Sequence, residues 1–143
     1  MMMKNKERTI VVGLSRLGST IAAKLSEQGA DVVVIDKESD SFRKLPETYS
    51  GYEVVGDVMD TDVLEKAGIE TAKTIIVTTD EDNINIMIGE ISAYIYGVEN
   101  IFVRLNDNDK SVLLEATRIH AIYPFLLSLD EFERIMKGES AAS

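Results

Sequence analysis

Cysteine is absent from the chain, proline occurs twice and histidine once. Without cysteine there is no disulfide, no thiolate metal site and no thiol nucleophile, an absence compatible with a cytosolic protein. The lone histidine, His120, precedes the last strand-like run, away from any carboxyl-end turn, and reads as structural. No serine has a histidine partner by pattern, and no acid-base pair stands at metal-ligand spacing, so catalytic machinery is not evident. No apolar run approaches the roughly 20 residues of a membrane span. The opening MMMKNKERT is charged and is followed by no apolar stretch of signal-peptide length. Cations are also in short supply: 15 Lys and Arg face 25 Asp and Glu, a formal net charge of −10. The basic residues are scattered, which argues against a nucleic-acid partner. A small anionic ligand is not excluded, because it responds to local dipoles.

What remains is an ordinary globular composition, with 143 residues, 45% hydrophobic and 28% charged, the size of one domain. Strand-like and helix-like patterns alternate along it. Buried strands are expected at 9–12, 31–35, 53–55, 74–78, 101–103 and 121–123. Helices are expected at 19–28, 39–49 (weak, interrupted near Pro46), 60–67, 82–96, from 107 or 108 to about 118, and 128–137. Strands that read as continuous apolar runs, separated by helices, predict a mostly parallel sheet covered on both faces. These elements fill the chain and leave no second domain for a substrate.

The stretch GLSRLG, residues 13 to 18, joins the first strand to the first helix. It follows the dinucleotide-binding turn G-x-G-x-x-G with Gly13, Ser15 and Gly18 in the three glycine positions. Gly13 permits the sharp turn and Gly18 permits close helix–sheet packing. Ser15 adds a Cβ where a pyrophosphate normally approaches the backbone, and a hydroxyl able to donate to a phosphate oxygen. The helix N-terminus keeps its free N–H groups. Arg16, inside the turn, stands beside any phosphate bound there. Asp36 ends the second strand, where a carboxylate meets the adenosine ribose. That acid disfavours a 2′-phosphate, so NADP is not expected. Lys37 follows it in a solvated turn.

Three more strand ends point to the same edge. Gly56 and Asp57 close the third strand; Asp57 is placed to accept from an adenine amino group, with Val58 against the ring, or simply to form a turn. Thr78, Thr79 and Asp80 close the fourth strand, across the switch point from the first. Their hydroxyls are candidate ligand donors, and Asp80 or Asp82 is a candidate helix cap. Arg104 ends the fifth strand, either pairing Asp80 or meeting a phosphate.

With these residues in view, the chain resembles the RCK, or KTN, domain: the nucleotide-binding regulators of potassium channels and of Trk/Ktr-type potassium transporters. GLSRLG, VVVID ending at Asp36, VGD ending at Asp57, LEKAGIETAK at 64 to 73 and TTDEDNIN at 78 to 85 carry the likeness. VRLND at 103 to 107 and IYP at 122 to 124 extend it. The A-G-I-E-x-A segment and the D-x-x-N of Asp82 and Asn85 are its most specific parts. The resemblance implies a Rossmann-like α/β fold whose six-stranded parallel sheet runs in the order 3-2-1-4-5-6, pairing as a homo-dimer or larger ring. It also implies AMP, ADP, ATP or NAD(H) bound by Gly13, Leu14, Ser15, Arg16, Leu17, Gly18, Asp36, Asp57, Thr78, Thr79, Asp80 and Arg104. Ser15 departs from the family's usual glycine, which tilts the expectation toward AMP or ADP. The C-terminal subdomain of many members is not expected here.

The domain plan is then an N-terminal extension over 1–8, a nucleotide-binding domain over 9–127, and a C-terminal helix with a disordered tail over 128–143. The expected role is a non-enzymatic, cytoplasmic regulatory subunit held at the membrane through an integral-membrane potassium transporter or channel. The alternatives are the cofactor half of an NAD-dependent oxidoreductase, or a ligand-free scaffold that only dimerises.

Overall fold

The computed structural model describes residues 7–139. Residues 1–6 of the expected extension and 140–143 of the expected tail lie outside them. Six parallel strands form one sheet in the order β3-β2-β1-β4-β5-β6. They are β1 (Arg8–Val12), β2 (Asp31–Asp36), β3 (Tyr52–Val55), β4 (Thr74–Val77), β5 (Asn100–Arg104) and β6 (Ile119–Ile122). Four α-helices accompany them: α1 (Arg16–Glu27), α2 (Thr61–Lys66), α3 (Asp82–Tyr94) and α4 (Pro124–Met136).

The period-2 alternation of a strand explains why both faces are covered. On β1, Ile10 and Val12 point into a core layer with Ile35, Leu64, Ile75 and Ile88, under α2 and α3. Val11 points to the opposite layer with Leu14, Ala22, Val34 and Ile76, under α1. Both layers are needed because β1 sits mid-sheet between β2 and β4, in register Val11↔Val34 and Val11↔Ile76.

Four helices differ from expectation. The first helix starts at Arg16, earlier than residue 19, because the Ser15 side chain caps it by accepting from the Gly18 N–H at 3.2 Å. The helices expected at 39–49 and after 107 are short 3-10 segments, Ser39–Lys44 and Asn108–Leu114. The second ends as the chain reaches Ala116, which adopts φ 62. The last helix, expected at 128–137, starts earlier at Pro124, whose missing N–H costs nothing at the first helical position.

Candidate functional site

β1 runs on to α1 and then to β2 on one side, while β4 lies on the other. The sheet therefore has its switch point between β1 and β4, and a crevice opens at the carboxyl ends there. The cleft holds about 530 Å³, inside the range usual for small-molecule sites.

The glycine turn forms its floor. Gly13 has φ 86, and a Cβ there would lie 2.8 Å from the Thr79 nitrogen, so only glycine fits. A Cβ on Gly18 would collide with the Gly13 carbonyl and the Thr78 hydroxyl. Between them, Leu14 has its side chain fully buried and lines the cleft. The Leu14 N–H donates to Asp36 Oδ2 at 2.8 Å, while Asp36 Oδ1 accepts from the Glu38 N–H at 2.8 Å. Each carboxylate oxygen thus has one backbone partner and keeps a lone pair for a further donor. Asp36 does more than the sequence shows: it anchors the turn as well as facing the cleft.

Ser15 also takes a second duty. Its Oγ accepts from Gly18, so one helix N-terminal donor is already engaged, and only the hydroxyl hydrogen is left to donate. Its φ is −67, a conformation that any L residue adopts.

Eleven of the residues singled out from the sequence line this one cleft: Gly13, Leu14 and Ser15; Asp36 and Lys37; Gly56, Asp57 and Val58; Thr78, Thr79 and Asp80. Asp57 Oδ1 accepts from the Met59 N–H at 2.9 Å, fixing the turn after β3. Val58 is half-buried against the core. The Thr78 and Thr79 hydroxyls are committed to the protein. Thr78 Oγ1 donates to the Gly13 carbonyl at 2.8 Å and is fully buried, and Thr79 Oγ1 lies 2.5 Å from Asn85 Oδ1.

Four others do not line the cleft: Arg16, Leu17, Gly18 and Arg104. Arg16 opens α1 and its carbonyl accepts from Thr20. Arg104 is turned toward the end of β4, donating to the Thr79 carbonyl at 2.7 Å and to Asp80 at 3.0 Å. The ion pair weighed from the sequence is the arrangement seen, and its side chain is only 13% exposed. Asp82, weighed as a cap for its own helix, instead accepts from the backbone N–H groups of Asn106 and Asp107 at 2.8 and 2.9 Å.

Sequence reasoning missed Ser41 and Lys44 from the 3-10 segment after β2, and Glu81 and Ile84 from the start of α3. Ile84 was legible only as part of an apolar helix face. Lys44 carried no signal, because a broken helical pattern around Pro46 does not say which side chains return to the turn. His120 stacks on Phe102, at 5.3 Å between ring centroids, away from the cleft. Among the described residues no cluster of three His, Asp or Glu is placed to hold a metal.

A parallel sheet with this strand order, a glycine turn feeding a capped helix, and an acid ending β2 define a Rossmann-like domain of the nucleotide-binding class. The chain belongs to the TrkA-N domain family, whose model matches residues 9–124. A relative, the Trk system potassium uptake protein TrkA of Streptomyces coelicolor, is 32% identical over 125 residues, covering 87% of this chain and 56% of that one. The chain spans about half the length of the first curated relatives it matches. Solved structures share the fold, two of them as follows. The GsuK channel bound to NAD superposes with TM-score 0.78 at 22% identity, over 96% of this chain and 24% of that one. The Shewanella denitrificans Kef CTD in AMP-bound form gives 0.66 at 20% identity, over 94% and 84%. No helix among the described residues is long and apolar enough to cross a membrane.

Proposed function

We propose that this chain is the nucleotide-sensing part of a regulator in a potassium uptake or channel system. An adenine nucleotide occupies the cleft and favours one arrangement of a dimer or larger ring. That shift gates an integral-membrane partner from the cytoplasmic side. The observation that carries the reading is the convergence of Gly13, Asp36, Asp57 and Thr79 on a single cleft at the switch point of a TrkA-N domain. Ribose hydroxyls have lone pairs to meet on Asp36, phosphate has the Ser15 hydroxyl where the glycine turn enters α1, and the adenine has the Gly56–Asp57–Val58 turn.

The potassium-uptake name of the Streptomyces relative and the NAD and AMP held by the two neighbours support the same reading. Relatives with transport names favour a binding module over the cofactor half of an oxidoreductase. A second copy of the chain is supported by α4. None of its residues is buried, and Phe125, Phe132 and Ile135 are 65%, 60% and 56% exposed. An amphipathic helix with such a face calls for cover.

Thermal unfolding with and without AMP, ADP and NAD tests the site. A ligand at 100 times its dissociation constant adds about 2.7 kcal/mol. No shift with any of the three overturns the nucleotide reading. A monomer by light scattering at high micromolar concentration overturns the ring.

Ser15 sets the ligand preference. Its Cβ narrows the space for a pyrophosphate bridge, and its Oγ occupies the Gly18 N–H. Ser15→Gly is expected to improve NAD binding over AMP binding by about 1 kcal/mol, the low end of relief from overpacking. Stability should change by only a few tenths of a kcal/mol, since glycine is a tolerable cap. Titrating both nucleotides into both proteins checks it; equal gains, or none, would remove the steric argument.

A further inference from the structure

The cleft is acidic. Five carboxylates line it, Asp36, Glu38, Asp57, Asp80 and Glu81, against two lysines. An anionic ligand meets like charge there, so it matters which carboxylates are offset. Asp36 and Asp57 are tied to backbone N–H groups. Asp80 is held differently. Its side chain is 93% exposed after β4, and its one cationic partner among the described residues is Arg104.

Arg104 reaches Asp80 from the end of β5 and lies outside the lining of the cleft. One terminal nitrogen of its guanidinium donates both to the Thr79 carbonyl at 2.7 Å and to Asp80 Oδ1 at 3.0 Å. Its Nε is buried and has no hydrogen-bond partner among the described residues. A buried donor left unpaired costs stability, and a buried positive charge requires a countercharge. A staple between β4 and β5 needs neither, because Asn85 Nδ2 already ties the Thr79 and Arg104 carbonyls together. What the guanidinium adds to that seam is its charge, and the carboxylate it bonds is the exposed one that lines the cleft.

We propose that Arg104 is a positioning residue for the cleft: by pairing Asp80 it holds and offsets that carboxylate, and so lets a phosphate-bearing ligand approach the end of β4. This rests on the cleft being a nucleotide site. The arginine acts through Asp80 rather than on the ligand.

Calorimetric titration of the full chain with AMP and with adenosine, which differ by the phosphate, reads the effect as a ratio of affinities. Arg104→Met should weaken AMP about threefold more than adenosine at about 0.01 M salt. The gap should close near about 1 M salt, where charges are screened within about 3 Å. Adding Asp80→Asn to Arg104→Met should restore the ratio. Asp80→Asn alone alters an exposed side chain and leaves the guanidinium without its countercharge. It should therefore raise AMP over adenosine by about threefold at low salt, even if Arg104→Met folds poorly. An equal loss of both ligands in Arg104→Met overturns the proposal, since the arginine would then only staple the strands. A ratio that Asp80→Asn leaves unmoved, in either background, overturns it too. If neither ligand binds the wild-type chain, the nucleotide reading itself fails, and the proposal with it.

Discussion

Asn85→Ala is expected to destabilise the fold by about 2–4 kcal/mol, with a fall in melting temperature on the order of 10 °C. Asn85 is fully buried on α3 and joins three elements. Its Oδ1 accepts from the Thr79 N–H at 3.0 Å and meets the Thr79 hydroxyl; its Nδ2 donates to the carbonyls of Thr79 and Arg104 at 3.0 and 2.8 Å. Alanine removes the side-chain partner of the Thr79 N–H after β4 and of the Arg104 carbonyl in β5, while the Thr79 carbonyl keeps Arg104; each group left unsatisfied at this half-buried seam costs about 1–3 kcal/mol. Thr79 belongs to the cleft, so nucleotide affinity should fall with stability. Chemical denaturation measures the first and calorimetry the second. A loss below about 1 kcal/mol would mean that water or Arg104 replaces the amide.

Gly18→Ala is expected to cost about 3 kcal/mol and to abolish measurable nucleotide binding. Propensity alone argues the other way, since alanine is favoured over glycine by about 1 kcal/mol inside a helix. The new methyl, however, would fall on the hydrogen bond between Thr78 Oγ1 and the Gly13 carbonyl. Both atoms are fixed by the sheet, so relief requires α1 to back away from β1, and overpacking of that kind costs about 1–3 kcal/mol or more. The displaced helix start would carry Ser15 and the glycine turn that lines the cleft with it. Denaturant unfolding decides between the two effects. A more stable alanine variant would show that the helix retreats freely.

The strands were legible because they are β-branched apolar runs, and their ends pointed correctly to one edge of the sheet. The two 3-10 segments were not, because 39–49 and 107–118 lack a sustained apolar face and their geometry is set by local capping. Asp107, for instance, accepts from Asp109. Within the cleft, the sequence located the glycines and acids but could not divide backbone anchoring from ligand contact. Asp36 and Ser15 each serve the turn, and the Thr78 hydroxyl is spent on the Gly13 carbonyl although the residue lines the cleft. Arg104 was weighed in two roles, and the ion pair with Asp80 is the one seen. The D-x-x-N of Asp82 and Asn85 was legible only through family resemblance. Its physical sense is two buried staples, one to the chain after β5 and one to β4.

The strand order divides the chain into two consecutive halves, β1 to β3 and β4 to β6, each built from near neighbours in sequence. They meet along the β1–β4 pairing, Thr9↔Thr74 through Val12↔Val77, which must close across a long intervening loop. Loop closure of that length is the slow, entropically opposed step of assembly. Each half is expected to organise first, with docking last. The cleft lies on that docking line, its acids and glycines coming from one half and Thr79 and Asp80 from the other. A molecule seated there would act as a clasp between the two halves. It should slow their parting far more than it hastens their meeting, and a chain severed in the turn between α2 and β4 should reunite more readily when the clasp is supplied.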